Sequence, residues 1–167
     1  IARRPQSAIS RAAFAATLVI CAPAASGQGV ADLWRAAQQA DAQIRAIVAA
    51  QVAAWDAGDG VAYARDVAAG VSFTNLFGMV MYGAPAFTER HSQILAPFYQ
   101  GTTKHHEIRR IRFVTPDVAI VDIDNEVRGV KSMPAGIAVP PDGVLKTQLM
   151  EVFVRRVDRW QIEAYHN

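Results

Sequence analysis

The sequence predicts one α+β domain in which a strongly curved, mixed or antiparallel sheet wraps over about three helices. Three observations carry this. The first half has apolar residues at helical spacing, and the second half is a run of segments that alternate apolar and polar. The two kinds of element are segregated along the chain, which is the α+β order. The chain has 167 residues, 51% hydrophobic and 19% charged, a globular composition with enough length for one core.

Residues 1–27 come first. "ARRPQSAISR" is basic, "AAFAATLVICAPAA" is apolar and small, and "ASGQG" places Ala25 and Gly27 at small-x-small spacing. This is the pattern of a secretory signal peptide and predicts a secreted or periplasmic protein. The apolar run is too short for a membrane span, which takes ~20 residues. Ile20 stands where a lipidation signal before Cys21 needs a small residue, so lipidation is not expected. The chain starts with Ile rather than Met, so a preceding start is expected. Cleavage near Gly27 would remove Cys21, the single cysteine, and with it disulfide and thiolate chemistry. The segment also holds Arg3, Arg4 and Arg11 and no acid. Of 17 basic residues 14 then remain against 15 acidic ones, which gives no broad field for nucleic acid.

Residues 28–40 read as a helical lead-in, and Asp41 as the start of a stronger helix in a domain over 41–167. Ile44, Ile47, Val48, Gln51, Val52 and Trp55 share its apolar face. Gly58 ends it, and Asp59 caps a short helix carrying Val61, Tyr63, Ala64 and Val67. "VSFTNLFG" and "MVMYG" read as two short strands around Gly78. Gly83 and Pro85 open a third helix, with Phe87, His91, Ile94 and Phe98 on one face and Gly101 at its close. "KHHEIRRIRFV" is a long basic strand. "VAIVDIDNEVRG" alternates, with Asn125 on the apolar face and Asp122, Asp124 and Glu126 on the other. A loop rich in Pro and Gly follows. "LKTQLMEVFVRRV" is apolar on both faces at its centre, as in a covered central strand. "RWQIEAYHN" closes the chain, and strict alternation puts His166 on the Trp160 face and Asn167 on the opposite one.

The order "AWDAGDGVAYA", "FTN", a glycine, "YG" opening a helix with "H…IL", "IRFVTPDVAIV" and "W-x-I-x-A-x-H-N" resembles the SgcJ/EcaC-type family. That family belongs to the SnoaL-like, ketosteroid-isomerase-like group with the nuclear-transport-factor-2-like fold. The resemblance covers about residues 41–167. It implies a cone-shaped half-barrel with an apolar pocket between helices and sheet, and a homodimer paired through the outer sheet face. The group includes isomerases, cyclases, epoxide hydrolases, dehydratases and members that only bind or assemble.

Facing then selects the candidate site. His91 and His166 are the candidate proton carriers, because a histidine can serve as acid or base near neutral pH. Asn75 and Asn125 are candidate hydrogen-bond donors to a ligand oxygen. Trp55, Tyr63, Phe73, Phe87, Phe98 and Trp160 are the candidate apolar wall. Steroid-isomerase chemistry needs an inward carboxylate. None stands out, and Asn75 is an amide where the resemblance implies a base. No cofactor is expected, since there is no dinucleotide glycine pattern, flavin motif or reactive thiol. His105 and His106 point to opposite faces of a strand and make no metal pair. Two readings follow: acid–base isomerisation, cyclisation or dehydration of a small apolar or carbonyl-bearing compound, or non-catalytic binding or assembly.

Overall fold

The structure is a computed structural model that describes residues 27–134 and 136–167. The predicted signal segment, residues 1–26 with Cys21, lies outside the described residues. Helix α1 spans Gly27–Asp56 without a break. Asp41, expected as a start, lies inside it and pairs with Arg45 one turn on, at 2.6 Å. The segment before it is rich in Ala and Gln, which favour helix, and has nothing to stop one. What changes there is burial. Leu33 and Trp34 are exposed, Ala40 is buried, and Ile44, Val48, Gln51 and Trp55 then face the core.

Gly58 takes φ +70, which a side chain would resist, and turns the chain out of α1. Asp59 Oδ1 accepts from Ala62 N at 2.9 Å and caps α2, Gly60–Tyr63. Val67, expected on this helix, starts strand β1, Val67–Thr74. β2 follows at Val80–Tyr82, then α3 at Ala84–Leu95. Phe98 lies past the end of α3, in the turn that leads to Gly101.

The remaining strands are β3, Thr103–Thr115, β4, Val118–Arg128, β5, Val144–Arg156, and β6, Arg159–His166. The sheet order is β2-β1-β6-β5-β4-β3. Among the described residues only β1 and β6 pair in parallel, so the sheet is mixed. α1 packs against β3 and α2, and α3 against α2, β1 and β2. Val71, Val121, Ile123, Leu149, Phe153 and Ile162 fill the core with the helices. The outer face carries ion pairs between strands: Arg110 with Asp122 at 2.9 Å, Arg109 with Asp124, and Lys146 with Glu126 at 3.3 Å. These pairs use the acids that alternation had placed outside.

One irregularity sets the end of the chain. Val152 pairs with Ala164, but Phe153 pairs with Ile162, so Glu163 is an extra residue in β6. This is a β-bulge, and it moves every later side chain to the other face. Tyr165 therefore turns inward and is 2% exposed. His166 turns outward beside Met150, and Asn167 turns in, with its N–H on the Thr74 carbonyl at 3.0 Å. The expected inward His166 is thus corrected: alternation held only as far as the bulge.

Candidate functional site

A cavity opens between α3, the end of α1 and the inner face of the sheet. Its walls are Trp55, Phe73, Ile94, Phe98, Tyr99, Val127 and Leu145, with Pro134 from the loop before β5. Its polar lining comes from Asn75, Arg90, His91, Lys104, Asn125, Tyr165 and Asn167. The free volume open to water-sized spheres is about 50 Å³. At ~10–15 Å³ for each such sphere, that is room for a few waters or one compact ligand.

His91 sits on the buried face of α3, 3% exposed. Its ring packs on Phe87 at 4.2 Å and Tyr63 at 4.6 Å between centroids. Nδ1 lies 2.8 Å from the Phe87 carbonyl, so Nδ1–H donates there and Nε2 is left as the acceptor. Burial lowers its pKa to about 3, against the pull of the Phe87 carbonyl, so the ring is neutral at pH 7.

Tyr165 meets Tyr63 oxygen to oxygen at 2.9 Å. Burial raises both phenols, so both stay protonated. Asn75 spends its Oδ1 on the N–H groups of Phe77 and Met79, at 2.9 and 3.0 Å, and so shapes the turn after β1. Asn125 donates Nδ2 to Thr147 Oγ1 at 2.9 Å, and its buried Oδ1 has no partner.

Two charged groups on the inner face escaped the sequence reading. Lys104 N–H donates to Asp56 Oδ1 at 2.7 Å, which ties the start of β3 to the end of α1. Its side chain turns inward and is 6% exposed as a residue. Nζ lies 4.0 Å from the Trp55 ring centroid and 5.1 Å from that of Tyr63. Trp55 is itself fixed, with Nε1 donating to Thr102 Oγ1 at 3.0 Å. Burial pulls the Lys104 amine down to about 7, opposed by Glu151 and Asp56. Glu151 is fully buried in β5, directly across from Tyr165. Burial pushes its carboxyl up to about 7, opposed by the Gln51 amide and by Lys104. It is the inward carboxylate that the sequence reading did not find. The available signal was parity: Glu151 alternates with Leu149 and Phe153, and Lys104 with His106 and Ile108.

The cavity thus brings together His91, Trp55, Phe73, Asn75, Phe98 and Asn125 from the expected set. Tyr63 and Phe87 sit behind its wall, in the aromatic stack around His91. Trp160 lies elsewhere in the core, 6.1 Å from Phe113 between centroids. All three are core groups rather than cavity lining; in front of Tyr63 and Phe87 the rings of His91, Phe73 and Tyr165 line the space. His166 is on the opposite side of the sheet, near Arg109 and Met150. His105 is exposed and His106 half-buried, as strand parity requires. Among the described residues no group of three or more metal-ligating side chains forms.

No family model and no curated protein matches the chain. Solved structures do. A hexachlorocyclohexane dehydrochlorinase (LinA) of type 2 superposes with a TM-score of 0.66 at 16% identity, covering 78% of this chain and 85% of that one. A Shewanella oneidensis protein of unknown function, described as NTF-2 like, gives 0.62 at 16% identity over 75% and 96%. A Nostoc punctiforme domain of unknown function with a cystatin-like fold gives 0.64 at 22% identity over 76% and 75%. The chain shares the fold of these proteins, the nuclear-transport-factor-2-like cone that the resemblance implied.

Proposed function

We propose that the chain is an exported protein with a small-molecule pocket, acting by acid–base chemistry on a compact compound that carries a carbonyl or hydroxyl oxygen. The reaction class is isomerisation, cyclisation or dehydration. One observation carries this reading: a mostly apolar cavity has a protonated phenol, Tyr165, and a neutral imidazole, His91, in its lining. Tyr165 would donate a hydrogen bond to the ligand oxygen, with Tyr63 holding the phenol in place. His91 Nε2 would accept a proton or a hydroxyl. The dehydrochlorinase of similar fold is an enzyme, which supports a cone of this kind hosting catalysis. Export rests on the n-, h- and c-regions of residues 1–27. Assignment to the SgcJ/EcaC-type family and pairing of two copies through the outer sheet face belong to the same proposal.

The second reading, binding without turnover, is favoured by the pKa of His91. An imidazole held near 3 is a weak base at neutral pH. Native mass spectrometry of gently purified protein tests the pocket: a bound compound that Tyr165→Phe releases is expected. Hydrogen exchange in D2O separates the two readings. Ligand C–H groups that exchange only when bound support catalysis, and a bound ligand that never exchanges leaves the binding module.

A further inference from the structure

We infer that Lys104 is a nucleophilic amine that captures a small aldehyde or ketone in the cavity as an imine. The proposal rests on the pocket reading above, and adds the ligand class and the atom that would hold it. Four observations place the amine for this role.

Lys104 lines the cavity although its residue is 94% buried, at 6% exposure. Among the described residues its Nζ has no hydrogen bond or ion pair, unlike Lys146, which pairs with Glu126. Its stem is positioned at both ends: the backbone N–H is tied to Asp56, and the amine lies over the Trp55 face. Finally, the burial that holds it in place favours the neutral amine, the nucleophilic form.

The step balances without a further reactant. The nitrogen lone pair attacks the carbonyl carbon, and the C=O π pair moves to oxygen. The proton lost by nitrogen and the one gained by oxygen cancel. The carbinolamine then takes a proton on its hydroxyl, expels water, and returns a proton as the neutral C=N bond forms. Amine plus carbonyl gives imine plus water, with no change in redox state. Asn125 and Tyr165 line the same cavity and offer it polar groups.

The chain has only three lysines, which makes the test clean. Lys131 and Lys146 are exposed and serve as internal controls. The full chain is incubated at pH 7 with butanal and sodium cyanoborohydride, and the alkylated lysines are located by peptide mass mapping. A lysine side chain free in water has well under about a thousandth of its amine unprotonated at pH 7. Label at Lys104 at least tenfold faster than at Lys131 and Lys146 is expected, with 1-butanol in excess slowing only Lys104. Equal labelling of the three, or labelling that spares Lys104, overturns the inference. Saturation-transfer NMR with 1-butanol, which cannot form an imine, reports the cavity separately. Binding of the alcohol without selective labelling removes the imine and leaves the pocket, whereas absence of both removes the pocket as well.

Discussion

Lys104 makes a prediction about stability that needs no knowledge of the ligand. In the unfolded chain a lysine keeps its proton to about 10.4. In the fold burial lowers that to about 7. Between these values the unfolded chain binds more protons, so stability rises with pH, and it is lost as pH falls toward 7. Over pH 7.5–9.5 the gain is two units at 1.36 kcal/mol, about 3 kcal/mol. The lower bound avoids Glu151, whose raised pKa acts in the opposite sense between the ordinary carboxylate range and about 7. The upper bound avoids Tyr63 and Tyr165, whose raised values oppose the gain above pH 10. With a urea slope of about 1.5–2 kcal/mol per molar, the midpoint should move up by about 1.5–2 M across the window. Lys104→Met keeps the length and shape of the stem and should flatten the profile. Urea titrations at four pH values in the window, on both proteins, make the measurement. A wild-type midpoint that stays level or falls, or a variant that rises equally, would refute a buried low-pKa amine.

Three further outcomes are expected. A Cβ at Gly60 would sit 2.7 Å from Ser92 Cα, so Gly60→Ala should force α2 from α3 and cost about 1–3 kcal/mol, read by thermal melting. Val157 is a β-branched residue at φ +58 in the exposed β5–β6 turn, and Val157→Gly should stabilise the fold by about 1 kcal/mol. His166→Ala should leave stability within about 0.5 kcal/mol and leave the binding of any co-purified ligand unchanged. A large loss of binding would mean that the bulge at Glu163 does not turn this residue outward.

The sequence by itself determined what depends on near neighbours. Helical spacing marked the buried face of α1 through Ile44, Val48, Gln51 and Trp55. Strand parity placed Asn125 inside and Asp122, Asp124 and Glu126 outside, because successive side chains on a strand must point to opposite faces. The order of helices before strands specified the α+β class. Tertiary structure decided where those local rules were interrupted or combined. The register of β6 against β5 inserted the bulge that exchanged Tyr165 for His166, and a register depends on the partner strand rather than on the strand itself. A hydrophobicity signal was present, since Trp160, Ile162 and Tyr165 are the better core residues, but it breaks the period of two. The inward placement of Lys104 and Glu151 was equally hidden. Each is one of several charged residues along its strand, and nothing local marks it as buried. Only the packing of helices on the curved sheet buries both, and burial moves the amine and the carboxyl toward each other in pKa.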